Sequence, residues 1–436
     1  MKLFSMWFIQ LLFSSFIVWC ILVCSAGLWR RLCRRWHARR PERITPGPFS
    51  DRDPGAPPNP TEETREERIV RSDAEARPCR FAILICAHNE ERVLGHLLQD
   101  LAEQRYPTDH RQVFVFADHC TDGTTALARS FPDVIVWEHT DGERSSKGKV
   151  LNALMPRLLA LADQFDTVAI FDADNQIGPG FLAKMNQAFA AGAAIVTGRR
   201  LASNPYDSLI SQWYTLYWAM VNSLYNLPRY ELGLSAMVSG TGFAFRMELL
   251  RRQGWHSYSV SEDVEFTFQQ NLAGHRVVYL DSAFFYDEQP ARFAVMWSQL
   301  RRWCTGGVQV CQHYLGDWFA AFTARPSWRL FDTMAGVYLT GVFGLTAVAF
   351  LLNAYTMLRH GQYLLFFIPT AAGYAATILT GWIAARLSDW PARKLWKGIV
   401  TMPLFYSLLS YISLLSLFKR QTRWVKIDHH SARKTF

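Results

Sequence analysis

Thr167-Val168-Ala169-Ile170-Phe171-Asp172-Ala173-Asp174-Asn175 is the stretch that decides the fold. Its uncharged first five residues predict a strand buried on both faces, as in a parallel sheet covered by helices. Two carboxylates, one residue apart, end the run. In open α/β sheets, ligands bind beyond the carboxyl ends of the strands. Residues i and i+2 of an extended segment point to the same side. Asp172 and Asp174 can therefore face one divalent cation together. Mg2+ or Mn2+ would suit such an oxygen-only site beside phosphate oxygens. An Asp-x-Asp also arises by chance in loops, so the pattern needs support from the rest of the chain.

Working outward, Phe81-Ala82-Ile83-Leu84-Ile85 predicts a first strand, with a helix through Glu90 to Gln104 after it. Val113-Phe114-Val115-Phe116 predicts a second strand, then a helix from Thr124 to Ser130, and Val134-Ile135-Val136-Trp137 a third strand. A helix near Val150 to Ala162 leads into the opening stretch. Strands alternating with helices predict βαβ units and a parallel sheet.

The expected strand ends carry polar residues where a ligand would bind. The first runs into His88-Asn89-Glu90-Glu91 and the second into Asp118-His119-Cys120-Thr121-Asp122-Gly123. Asp118 can accept hydrogen bonds from a base or a ribose. Asn89 and Asp122 are equally ordinary helix-capping residues. Gly142 to Lys149 resembles a phosphate-binding P-loop but fails its spacing, and Val150 stands where Ser or Thr should hold magnesium. Lys147 and Lys149 can still neutralise a diphosphate, or form a solvated basic loop.

Further on, Ser239-Gly240-Thr241-Gly242-Phe243 offers either close backbone approach to a ligand or a tight turn. Ser261-Glu262-Asp263-Val264-Glu265 offers a general base, or an acidic helix start. In Gln299-Leu300-Arg301-Arg302-Trp303, Arg can hold phosphate and Trp can stack on a sugar.

Bulk composition adds a membrane. The chain has 436 residues, half of them hydrophobic, and a net charge of +9. Trp7 to Trp29, Thr333 to Leu358, Gly361 to Ala385 and Gly398 to Phe418 are free of charge. Each is long enough for a transmembrane helix. Arginines from Arg30 to Arg40 follow the first span, which places that end and the next domain in the cytoplasm. The basic tail, Lys419 to Lys434, also favours the cytoplasm, yet three spans would leave it outside. One span is therefore expected to be interfacial or re-entrant, with the last, interrupted by Pro403, the first suspect. No basic and aromatic interleaving on the soluble part suggests nucleic acid. The eight cysteines include no C-x-x-C pair, so reduced, packed thiols are expected.

Taken in order, Cys86-Ala87-His88-Asn89-Glu90-Glu91, Asp118 with Asp122, Lys147-Gly148-Lys149 with Asn152, Asp172-Ala173-Asp174, Gly240-Thr241-Gly242, Glu262-Asp263 and Gln299 to Trp303 resemble the family 2 glycosyltransferases. More narrowly, they resemble the membrane-embedded branch with cellulose, hyaluronan and poly-N-acetylglucosamine synthases and ceramide glucosyltransferases. The likeness runs from about Arg80 to Gln309.

It implies an α/β fold: a GT-A, Rossmann-like domain between an N-terminal transmembrane anchor and C-terminal transmembrane helices. The expected layout is an anchor at 1–30, a basic, Pro-rich cytoplasmic linker at 31–78 and the GT-A domain at 79–310. An interfacial segment at 311–332, transmembrane helices at 333–418 and a basic tail at 419–436 follow. The resemblance implies an inverting enzyme that uses a UDP-sugar and Mg2+ or Mn2+. His88, Asn89, Glu90, Asp118 and Lys149 would bind the donor, beside Gly240, Thr241 and Gly242. Asp174, assisted by Asp172, would bind the metal. Asp263, with Glu262 beside it, would deprotonate the acceptor. Gln299, Arg302 and Trp303 would hold diphosphate and acceptor. The expected acceptor is a growing polysaccharide at a bacterial inner membrane, or alternatively a membrane lipid. A third reading is an inactive binding subunit of an export complex, and export or accessory subunits are open partners. His88 and His119 depart from the residues more usual in the family.

Overall fold

The chain is described by a computed structural model over residues 18–34, 77–140 and 146–419, except the side chains of 337–343 and 345–346. The start of the first apolar span, most of the Pro-rich linker, part of the basic loop and the tail from 420 lie outside the described residues.

Helix α1 covers 18–34. The α/β part then runs β1 (Phe81–Ala87), α2 (Leu94–Ala102), β2 (Arg111–Asp118), α3 (Thr124–Arg129), β3 (Val134–His139), α4 (Lys147–Leu159), β4 (Thr167–Asp172), β5 (Gln176–Ile177), α5 (Phe181–Ala190) and β6 (Ile195–Ala202). After it come α6 (Leu209–Met220), a π-helical turn at Val221–Asn226, α7 (Leu227–Leu232), β7 (Phe243–Arg246), α8 (Met247–Gln253), α9 (Glu262–Leu272) and β8 (Val277–Asp287). Four long helices close the described chain: α10 (Phe293–Ala324), α11 (Trp328–Arg359), α12 (Tyr363–Leu387) and α13 (Trp396–Phe418).

Among the described residues, one sheet has the order β3-β2-β1-β4-β7-β6-β8-β5. The four strands expected from the sequence are parallel neighbours. The expectation of a parallel sheet is corrected beyond them. β7 runs antiparallel to both β4 and β6, and β5 antiparallel to β8. The sheet is mixed because the chain returns through β7 from a helical excursion rather than by a βαβ crossover.

Period-two alternation divides β1 between two cores. Ala82 and Leu84 pack with Val150, Leu154 and Leu158 of α4. Phe81, Ile83 and Ile85 pack with Leu94, Leu97, Leu98 and Leu101 of α2. That leucine spacing is one face of a helix. Each such side chain contributes roughly 1.5–3 kcal/mol on burial. Helices on both faces leave the carboxyl ends of β1, β2 and β4 as the open edge.

Two described helices, Tyr363–Leu387 and Trp396–Phe418, are long and apolar enough to cross a membrane. The second continues through Pro403, so the expected interruption there is corrected. Helix α10 also runs unbroken through the boundary expected at residue 310.

Helix α1 is held against the rest of the chain. Trp19 donates to Asp332 at 2.9 Å and stacks on Trp328 at 5.3 Å. Arg31 pairs with Asp281 at 3.1 Å, and Arg34 pairs with Glu231. A Cβ on Gly27 would lie 2.5 Å from the Pro228 backbone, so a larger residue would push α1 off α7. Two of the arginines taken as topology signals are thus also ion-pair partners of the α/β part.

Candidate active site

A cavity of about 1150 Å³ opens at the carboxyl ends of β1, β2 and β4. His88, Glu90, Asp118, Asp172, Asp174, Gly240, Glu262, Asp263, Gln299, Arg302 and Trp303 all line it. One space therefore brings together residues spread over about half the chain.

Four expected residues do not line it. Asn89 stands in the left-handed region at φ 56° and turns to the second loop, accepting from Thr121 N at 2.7 Å. It caps no helix there, since the N-caps of α2 and α3 are Val93 and Gly123, neither with a side-chain cap, and Asp122 Oδ1 accepts from Thr124 N at 3.0 Å. Thr241 is buried below the cavity, where its hydroxyl accepts from Asp172 N at 2.8 Å and bonds Asn175. Gly242 has φ 63°, and a Cβ there would overlap the Phe285 ring. Lys149 is exposed.

Lys147 takes the place expected of Lys149. Its ammonium bonds Asp172 and donates to the Gly240 carbonyl at 2.8 Å. Burial works against its charge, but Asp172, then Cys86 and Glu262, hold its pKa above the ordinary value. Lys147 and Val150, three residues apart on α4, share the face that lines the cavity. Lys149 lies around the helix from them.

Asp172 and Asp174 gain a third carboxylate that the sequence did not advertise. The ligand oxygens of Asp172, Asp174 and Asp287 lie within 4.8 Å of one another. Asp287, at the end of β8, is buried and accepts from Arg200 Nε at 3.1 Å, Gln289 Nε2 at 2.9 Å and Asn175 Nδ2 at 3.0 Å. Arg200 itself lies 4.1 Å from the Trp218 ring and donates to Ser239 O at 2.7 Å. This all-oxygen donor set fits a hard divalent cation. Lys147 and Arg200 offset part of its negative charge.

Glu262 and Asp263 begin α9. Burial, then the adjacent Asp263, pushes Glu262 up to about 7. Burial also raises Asp263, against the Val264 amide, Arg302 and Lys147, which favour its anion. Gly240, at φ 83°, would carry a Cβ only 3.3 Å from Asp263 Oδ2, so its lack of a side chain keeps that oxygen accessible. Glu265 faces elsewhere: it accepts from Ser259 N at 2.8 Å and Tyr314 OH at 2.8 Å, tying the preceding loop to α10.

Gln299, Arg302 and Trp303 lie along one face of α10. Arg302 donates to Val260 O at 3.0 Å, which fixes it beside the α9 start. Gln299 Oε1 is buried and has no hydrogen-bond partner among the described residues. Trp303 packs among Tyr214, Tyr217 and Trp218, with ring centroids 5.8, 6.1 and 5.9 Å away.

From Trp303 the cavity continues between helices. Cys24 and Leu28 of α1, Met220, Leu224, Ile383 of α12 and Leu409 of α13 line this arm. It is apolar where the sheet end is charged. Asp287, Arg200 and this arm carry no direct sign in the sequence, because each depends on β7, β8 and α1 folding back.

Residues 78–306 match the model of the glycosyltransferase-like family 2. The chain is similar to "Probable glycosyltransferase YdaM" of Bacillus subtilis, 24% identical over 379 residues, 82% of this chain and 88% of that protein. It is also similar to a beta-monoglucosyldiacylglycerol synthase of Synechocystis sp., 26% identical over 270 residues, 60% of this chain and 54% of that protein. The chain thus spans about half the length of the synthase. Among solved structures, mannosyltransferase PcManGT from Pyrobaculum calidifontis, in complex with GDP-Man and Mn2+, has a TM-score of 0.51 at 19% identity, covering 92% of this chain and 99% of that one. That likeness shows a GT-A-like α/β fold.

Proposed function

The chain belongs to the glycosyltransferase-like family 2, and on that premise we propose that it transfers one sugar from a UDP-sugar, with inversion, to a lipid hydroxyl at the membrane face. The observation that carries the acceptor class is the apolar arm of the cavity, which leads from Asp263 between α1, α12 and α13. A lipid acceptor needs a wet end at the base and a dry end for its chains. The Synechocystis relative is named a beta-monoglucosyldiacylglycerol synthase, which supports the same reading. We place the chain in the membrane through α12 and α13, with the catalytic end on the cytoplasmic side.

In this mechanism Asp263 accepts the proton of the acceptor hydroxyl. The oxygen attacks the anomeric carbon as the bond to the diphosphate breaks, so one displacement inverts the centre. Lys147 and Arg302 meet the charge that develops on the leaving diphosphate. Mg2+ or Mn2+, held by Asp174 with Asp172 and Asp287, would neutralise the same leaving group. A base with a raised pKa suits proton removal near neutral pH.

A growing polysaccharide is the second reading, favoured by the aromatic wall of Trp303, Tyr217 and Trp218. Purified protein incubated with labelled UDP-sugars, Mn2+ and diacylglycerol vesicles separates the two. A single-sugar lipid that Asp263→Asn no longer makes supports the first reading. A ladder of lengthening, lipid-independent product would replace it by the second.

A further inference from the structure

Asp118 ends β2 at the cavity wall, with its side chain buried. Two imidazoles converge on one of its oxygens. Nδ1 of His119 and Nδ1 of His139 each lie 2.8 Å from Oδ1. An ionised carboxylate only accepts, so these are the ring nitrogens that carry the proton.

The arrangement is built into the sheet. His139 ends β3 and pairs in register with Asp118. The His139 carbonyl accepts the His119 backbone N–H at 2.8 Å. His119 stands at φ 48°, a left-handed conformation uncommon outside glycine. Its ring meets His139 edge to face at 5.4 Å. Among the described residues no hydrogen bond falls on Oδ2 of Asp118.

We propose that His119 and His139 determine donor specificity by positioning Asp118, holding Oδ1 so that Oδ2 alone is left for the nucleobase. The inference rests on the reading that Asp118 faces the base of the donor. A single acceptor suits uracil, whose N3–H is flanked by two carbonyl oxygens that repel a second carboxylate oxygen. Guanine instead presents N1–H and N2–H side by side and is recognised best by both oxygens of a carboxylate. His139 belongs to no part of the sequence resemblance, and its role comes only from its strand pairing.

The test uses the full chain in detergent with Mn2+, and measures Kd for UDP and for GDP by calorimetry. Wild type is expected to prefer UDP. His139→Leu should lower the GDP-to-UDP Kd ratio roughly tenfold. His139→Asn, which keeps an N–H near the Nδ1 position, should restore it. His139→Gln, whose amide reaches the Nε2 position instead, should behave as His139→Leu and serves where the leucine variant does not fold. Equal affinities in wild type, or an unmoved ratio in a folded His139→Leu or His139→Gln, overturns the proposal. So does stoichiometric zinc bound by wild type and lost in His139→Gln, since the same three ligand atoms are close enough to hold a cation. UDP-selective binding without sugar transfer would count against the proposed activity and leave this inference standing. Binding of neither nucleotide overturns both.

Discussion

Lys147 bonds Asp172 across the mouth of the cavity, so the first carboxylate of the Asp-Ala-Asp turn has a cationic partner from the start of α4. The pair sets how much negative charge the site shows to a diphosphate. Removing the ammonium would leave three acidic ligands facing an anionic donor.

Lys147→Met is therefore expected to lower kcat/KM for the donor about 10²–10³-fold, the usual effect of losing a charge-stabilising donor. Lys149→Met, at an exposed position, should stay within a few-fold of wild type. Steady-state release of UDP checks both, and a larger loss in Lys149→Met would reverse the assignment.

Glu262 has a pH signature in stability. Its folded pKa is raised from 4.5 to about 7, first by burial and then by Asp263. A raised carboxylate holds its proton more tightly when folded. Its contribution is full below pH 4.5 and is lost as pH rises through about 7. Glu262→Gln fixes the neutral form. Melting near pH 4.5 should be unchanged, while stability above pH 8 should increase by about 2–3 kcal/mol. Thermal scans at the two pH values give the answer.

Arg302 favours the ionised forms of both Glu262 and Asp263. Without it the base keeps its proton to higher pH. Arg302→Met should move the acidic limb of the kcat profile upward, in addition to lowering kcat. A limb that stays in place at saturating donor argues against Asp263 as the base.

The three clustered carboxylates should separate by phenotype. Asp174→Ala is expected to abolish Mn2+-dependent turnover with little change in melting, and EDTA should do the same to wild type. Asp287→Ala also strips buried Arg200 of its partner, so a stability loss of about 3–5 kcal/mol should accompany lost activity. Full turnover in EDTA would remove the metal from the mechanism.

Arg229 and Asp332 form a buried, two-pronged pair at 2.8 Å for each contact, with Trp19 donating to the same carboxylate. Asp332→Ala should cost about 3–5 kcal/mol and free α1. Faster proteolysis between residues 18 and 34, alongside a lower Tm, is the expected readout.

Much of the catalytic end was legible because its signals are local. β1, β2 and β4 are apolar runs that stop at polar residues, and a strand end is where such a fold binds ligands. Asp118, the Asp172–Asp174 pair and the acidic start at Glu262–Asp263 could be named from short stretches, and the resemblance then singled out Asp174 and Asp263. Lys147 was half legible: Val150, three residues on, marks its face of α4, whereas the resemblance pointed to Lys149. Asp287 was not legible, since its only companions in the chain are Glu288 and Gln289 and its meaning depends on β8 lying beside β6. His139 was hidden for the same reason, visible only once β3 pairs with β2. The mixed sheet escaped because β7 is four residues long and carries no sign of its direction.

The placement of α1 has a consequence for anyone dividing this protein into parts. Its residues supply one wall of the arm behind Trp303, and its indole and guanidinium groups are fastened to α11, α7 and Asp281 of β8. A fragment beginning at residue 77 would keep every carboxylate of the cavity and lose the side of the vessel proposed to shelter an acceptor chain. Such a fragment should still grip nucleotide while leaking its donor to water, a hydrolase made by subtraction.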